Sequence, residues 1–302
     1  MKSICFFSSY YTVTNIPGYV KFYLNELKRH FSEVILLTNE KNIPTEDIQY
    51  LASNNIPYRL YKNEGFDFGM WYKAFQEYDV MQYDRIGLVN DSCILFNKLD
   101  FYFNWLDKQE ADYSGFTDCY RIGYHIQSYF IIINKRAIPF LAQYFNENGI
   151  VKNIKDVIKI YEINLCNFLL KKNMHLKVYY PLERKGDLID PSWIGVKELI
   201  KKGMPLIKKK IIIREYGDAN REELALNGFD PFPNHYISLI KKMNHSEDST
   251  NEIFKGIRQP SSLKNSVNIL RDYCNLNYCI VRYHIKNLLR PSYMFIKKRV
   301  KI

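Results

Sequence analysis

The chain has 302 residues, 47% hydrophobic, with a net charge of +11. That is enough apolar material for one large core or two modest ones, while no apolar run approaches the roughly 18 residues of a spanning helix. The charge is uneven. Residues 255–302 hold eleven basic side chains against one acid, Asp272, so the first 254 residues are close to neutral, which excludes a uniformly basic nucleic-acid binder.

Six cysteines at positions 5, 93, 119, 166, 274 and 279 show no zinc-ribbon spacing, and the opening MKSICFFSS does not read as a signal peptide. A reduced, cytoplasmic protein is the expectation.

The first half alternates strand and helix. KSICFFSS (2–9) reads as a strand, and PGYVKFYLNELKRHF (17–31) as a helix with Pro17 near its first turn. A second strand (33–39), a second helix (44–54) and a short third strand (56–61) follow, then the stretch NEGFDFGMW and a helix from about 69 to 78. DRIGLVNDS (84–92) is a strand ending in an Asn-Asp-Ser turn. This rhythm predicts a mostly parallel sheet covered by helices, with ligands beyond the carboxyl ends of its strands. Ser8, Asn39, Asn63 and Asn90 to Ser92 fall at those ends.

Later come a short strand at 112–118, a strand at 127–134, a helix to about 145, a long helix at 153–172 and a strand at 175–181. Residues 182–250 are turn-rich, with IKKKIII (207–213) near the middle, and the last fifty residues read as short helices broken at Pro260 and Pro291.

Four stretches carry candidate chemistry. In NEGFDFGMW, Gly65 and Gly69 allow close backbone approach to a ligand or a positive φ, and Asn63 and Asp67 offer polar contacts. A loop with two turn glycines is the structural alternative. In LVNDSCI, Asp91 stands where a carboxylate can hold Mg²⁺ or Mn²⁺ against a diphosphate; an Asx-Ser turn is the alternative. In HIQSYF, alternation puts His125 and Gln127 on one side, where His125 can bond a phosphate or an acceptor hydroxyl. In the long helix, Ile154, Ile158, Leu165 and Leu169 form an apolar stripe with Glu162 in its middle. A carboxylate there must be paired, protonated or lining a cavity.

NEGFDFGMW, YDRIGLVNDS, HIQSYF, YEINLCNFLLKKN and PLIKKKII, in this order, resemble the rhamnan synthesis F family of bacterial polysaccharide glycosyltransferases over about residues 16–213. The resemblance implies an α/β, GT-A-like Rossmann-type fold with a central, mostly parallel sheet. Taken with the charge of the tail, it leads to a transferase domain over 1–240 and a basic helical C-terminal extension over 241–302. It also implies that NEGFDFG lies along a donor nucleotide and that Asn90-Asp91-Ser92 stands at the Asp-x-Asp position, with Asn90 and Ser92 where two carboxylates are often found. Tyr161-Glu162 and the run after it are similar in rhythm to inverting GT-A enzymes of the family 2 type, which implies Glu162 at the catalytic carboxylate.

The implied reaction moves a sugar, rhamnose before others, from a nucleoside diphosphate sugar to a growing glycan. Glu162 is then the base. A divalent cation (Mg or Mn) at Asp91, or else His125 or a basic side chain such as Lys210, offsets the leaving charge. A nucleotide-sugar-binding protein without turnover and a retaining transferase stay open as alternatives. The basic tail reads as a solvated appendage, a homodimer-forming arm, or a contact with anionic lipid at the inner face of the cell membrane, where a lipid-linked glycan acceptor would be presented.

Overall fold

Every residue of β1 (Ser3–Ser9) is buried, and alternate side chains go to opposite faces. Cys5 and Phe7 join one hydrophobic cluster, Ile4 and Phe6 another. A strand buried on both faces must lie inside a covered parallel sheet, and β1 does. It pairs in parallel with β2 (Glu33–Asn39) on one side and β4 (Arg85–Asn90) on the other. A computed structural model describes residues 1–10, 15–39, 42–182, 190–213, 221–226, 228–244, 247–254, 257, 270–271, 273–282 and 284–285.

The main sheet has eight strands in the order β3-β2-β1-β4-β8-β6-β7, with β9 paired to β6. β3 (Tyr58–Tyr61), β2, β1 and β4 run parallel, joined through α1 (Gly18–Leu27), α2 (Thr45–Ser53) and α3 (Phe66–Glu77). This is the Rossmann-type half expected from the alternation. β8 (Phe130–Asn134) then enters antiparallel between β4 and β6 (Tyr113–Cys119). β7 (His125–Ile126) is antiparallel and β9 (Leu176–Tyr180) parallel to β6. The sheet is thus mixed but mostly parallel.

Three short elements escape a reading by periodicity: β5 (Cys93–Leu95), α4 (Asp100–Leu106) and β10 (Leu206–Lys208). β5 and β10 make a separate antiparallel ribbon that starts right after the Asn90-Asp91-Ser92 turn. α5 (Ile138–Asn148) covers one face with α3. Beyond β9 the described chain adds the helices α8 (Val196–Lys201), α9 (Lys209–Ile213), α10 (Arg221–Leu226), α11 (Pro233–Asn244) and α12 (Glu247–Phe254). Pro260, Pro291 and most of the basic tail lie outside the described residues. No helix among the described residues is long and apolar enough to cross a membrane.

The long helix differs from its expected form. It runs as α6 (Ile154–Val157), a π-helical segment (Ile158–Asn164) and α7 (Leu165–Lys171). Its buried side chains are Val157, Tyr161, Leu165, Cys166 and Leu169, whereas Ile154 is exposed. The aromatic ring wins the core position: Tyr161 stacks on Phe68 of α3 at 5.0 Å and meets Phe145 edge-on. Glu162, one residue on, is therefore at the border of the buried stripe instead of its middle.

Candidate functional site

The start of α3 explains both glycines of NEGFDFG. Gly65 has φ +78° and Phe66 follows at φ +57°, two successive left-handed residues that bend the chain into the helix. A Cβ on Gly69 would stand 1.8 Å from the Glu64 carbonyl oxygen, and one on Gly65 2.8 Å from Ile150 Cγ2. The turn and its packing require these glycines, and a ligand is not needed to account for them. Phe66 holds a conformation that costs a non-glycine residue about 1–2 kcal/mol. What the turn achieves is the placement of Asp67 in the first turn of α3, against the carboxyl end of β1.

There Ser8 Oγ donates to Asp67 Oδ1 at 2.9 Å. Burial, and then the charge of Asp91, push the Asp67 pKa up to about 7, against the Ser8 hydrogen bond and the charge of Lys209. Ser8 is also the register partner of Asn90, and its carbonyl accepts from the Asp91 N–H at 3.1 Å. One residue therefore ties Asp67 to Asp91. Next to it, the buried Ser9 hydroxyl has no hydrogen-bond partner among the described residues. Asn39 closes β2 half-buried, accepting from Thr38 Oγ1 at 3.3 Å, while Asn63 is exposed ahead of the turn.

Asn90 makes the Asx turn that its neighbours allow: its Oδ1 accepts from Ser92 N–H and Oγ–H at 3.0 and 2.6 Å. That turn holds Asp91 inward, 5% exposed. Asp91 Oδ2 accepts from Tyr19 Oη at 3.0 Å and from Lys209 Nζ at 2.8 Å. The lysine that reaches this carboxylate is Lys209; Lys210, named from the sequence, follows it in α9.

A third carboxylate, Glu162, completes the arc. Asn90 Nδ2 donates to the Ser128 carbonyl at 3.4 Å, and Ser128 Oγ donates to Glu162 Oε1 at 2.6 Å. His125 Nε2 lies 3.9 Å from Glu162 Oε2. The His125 Nδ1–H donates to the Gly123 carbonyl at 2.8 Å, which fixes the ring and leaves Nε2 facing the carboxylate. β7 has only two residues and ends before Gln127, so alternation does not govern where that side chain goes. Gln127 Nε2 instead donates to Asp190 at 3.0 Å. Burial opposes the Asp190 charge, but Lys208 and hydrogen bonds from Ser192 and Gln127 outweigh it and hold the carboxyl below its usual range.

Residues 34–251, more than two thirds of the chain, match the family model described as rhamnan synthesis protein F. The chain belongs to that family. No curated protein matches it in sequence. Among solved structures it is similar to a cytidylyltransferase from Leptospira borgpetersenii serovar Hardjo-bovis, at 15% identity over 83% of this chain and 97% of that one, TM-score 0.41. It is also similar to the glycosyltransferase GlyE of Streptococcus pneumoniae TIGR4, at 17% identity over 86% of this chain and 65% of that one, TM-score 0.39.

In this rhamnan synthesis F protein a divalent ion at Asp91 has little to bind. Two carboxylates lie here, but Asp91 Oδ2 already accepts an ammonium and a hydroxyl, Asp67 Oδ1 accepts from Ser8, and Asn90 Oδ1 is taken up by Ser92. Hard cations want several oxygen ligands with free lone pairs, so the residues do not fit that ion. Among the described residues, the group with metal-ligand spacing is Glu26, His30 and Asp100, within 4.8 Å of one another. Arg29 fills it, donating to both Glu26 oxygens at 2.9 and 3.0 Å and to both Asp100 oxygens at 3.0 and 2.8 Å. It is an ion network at the far end of α1 from Tyr19.

Tyr19, Ser128, Asp190 and Lys209 went unread in the sequence. Only the Lys208-Lys209-Lys210 run gave a signal, and a run cannot say which of three lysines turns inward.

Proposed function

We propose that this protein transfers a sugar from a nucleoside diphosphate sugar to a hydroxyl of a polysaccharide precursor, with inversion at the anomeric carbon. Glu162 takes the acceptor proton as the acceptor oxygen bonds to that carbon and the bond to the diphosphate breaks. His125 and Ser128 orient the carboxylate. Ser8, Asp67, Asn39, Asn63, Gln127 and the Asn90-Asp91 turn form the polar rim that receives the donor, with Gly65 and Gly69 shaping it. The family name favours rhamnose, carried as dTDP-L-rhamnose.

The observation that carries this reading is Glu162 itself. It is held by Ser128 at 2.6 Å, beside His125, on a π-helical segment joined through Asn90 to the Asp91 turn. π segments are frequent at functional sites, and a carboxylate fixed by a hydroxyl on one oxygen keeps the other to accept a proton. The test is turnover of dTDP-L-rhamnose with an oligosaccharide acceptor, read by NMR for the anomeric configuration of product. Inverted product supports the reading. Donor binding with neither transfer nor hydrolysis would make the protein a binder.

The acceptor in this reading is lipid-linked, and the protein works at the inner face of the cell membrane. In support, Tyr273, Tyr278, Val281 and Ile285 are exposed large apolar side chains beside the exposed Arg271 and Arg282. An amphipathic basic segment of this kind can rest in a bilayer interface, with about 1 kcal/mol from each basic side chain near anionic lipid. Co-sedimentation with anionic liposomes should fall with salt and vanish on removal of residues 261–302. Equal pelleting without them would leave the tail to packing or to a homodimer.

A further inference from the structure

Lys209 is delivered to the Asp91 turn by its own backbone. β10 pairs with β5 in the register Leu206↔Leu95, Ile207↔Ile94, Lys208↔Cys93, and the Lys209 N–H then donates to the Ser92 carbonyl at 2.8 Å. The lysine is thus bonded to the very turn whose carboxylate it meets. Its Nζ donates to Asp91 Oδ2 at 2.8 Å and to Tyr19 Oη at 3.2 Å, and Tyr19 Oη in turn donates to the same Oδ2 at 3.0 Å. The ammonium also lies over the Tyr19 ring, 5.5 Å from its centre.

This closed triangle uses two of the three ammonium donors. The Lys209 side chain is 23% exposed while the Asp91 side chain is 8% exposed, so the cation is the accessible member of the pair and its carboxylate the buried anchor. It stands at the carboxyl end of β4, where sheets of this type receive phosphates.

We propose that Lys209 is the fixed cation of this site: it binds the donor diphosphate and offsets the charge that develops on it as the sugar leaves, with Asp91 and Tyr19 holding the ammonium in place. The assignment rests on the transferase reading above and sharpens it. A charge built into the fold needs no ion recruited from solution, and a preset donor costs no reorganisation as charge develops. The Asp91 carboxylate then acts on the lysine and not on a metal. An ion pair that served folding alone would look similar in the free protein, so the test must separate the two roles.

The experiment is calorimetry with dTDP, UDP, GDP and CDP as probes, in EDTA and in Mn²⁺. Thermal melts are run on each variant. The wild-type protein should bind one of the diphosphates in EDTA within about twofold of its affinity in Mn²⁺. Lys209→Met leaves Asp91 buried and unpaired and can fail to fold, so the informative variant is the double substitution Asp91→Asn with Lys209→Met, which removes both charges. At a melting temperature close to wild type it should lose about tenfold or more in diphosphate affinity, the scale of one charge-assisted phosphate contact. Lys209→Arg should restore affinity to within about threefold. Binding that requires Mn²⁺, or a double variant that binds as well as wild type, overturns the assignment and leaves the transferase reading standing. Binding of none of the four probes under either condition overturns both.

Discussion

Two carboxylates linked through Asn90 and Ser128 have been given opposite surroundings. Asp91 is buried, bonded by an ammonium and a phenol, and held by a turn whose other polar groups satisfy one another. Glu162 is partly open, bonded by one hydroxyl and faced at 3.9 Å by Nε2 of the His125 ring. The first is neutralised and immobile, suited to anchoring a charge. The second keeps lone-pair capacity and a route to solvent, suited to receiving a proton. A carboxylate's role is decided by its partners, and these two differ in partners far more than in position.

The largest effect that would break this contrast is at Glu162. Glu162→Gln keeps the shape and the Ser128 contact but cannot take a proton, so transfer should fall by about 10²–10⁴-fold while diphosphate binding, which belongs to the Asp91 side, is unchanged. A rate assay beside calorimetry checks both halves, and a near-normal rate would remove Glu162 as the base.

At Asp91 the expected loss is of stability. Lys209→Met alone leaves a buried carboxylate without its cation and should cost up to about 3 kcal/mol in denaturant unfolding, most of it recovered when Asp91→Asn is added. Failure of the second change to rescue would mean that Lys209 packs for reasons other than charge. Ser128→Ala removes one charge-assisted bond to Glu162 and should lower kcat by about tenfold with little change in KM. An equal fall at every pH would separate this orienting role from a change in protonation.

A further effect is expected at Asp67, whose pKa burial and the charges of both Asp91 and Glu162 raise. Its pKa is raised to about 7 in the folded protein, so the native state binds more protons than the unfolded one from about pH 4 to 7. Stability falls as pH rises through that window, and the cost is fully present above about pH 7. Asp67→Asn should therefore raise the melting temperature at pH 8, by about 2–4 °C for each kcal/mol relieved, and leave it unchanged at pH 4. A gain of the same size at pH 4 would mean that the effect is not titration of this carboxyl.

The Rossmann-type half was legible because its signals are local. The apolar centres of 3–9 and 85–90, the helices between them and the polar residues at strand ends need only near neighbours to be read. So was the family, through ordered blocks of residues, and with it the carboxylates Asp67, Asp91 and Glu162. Helical spacing survives in a single chain and singles out Glu162, although it puts the residue in the middle of the apolar stripe and not at its border.

The tertiary structure decided the rest, and each case is a contact between distant segments. Tyr161 displaces Glu162 from the middle of the stripe because Phe68 and Phe145, from two other helices, meet its ring. His125 finds Glu162 while Gln127 finds Asp190, because a two-residue strand ends before alternation can act. The choice of Lys209 among three lysines is set by β10 pairing with β5, more than a hundred residues earlier. Periodicity reports which side of its own element a residue faces. Which group it meets there is fixed by elements that pack from elsewhere in the chain, and in this protein those meetings make the site.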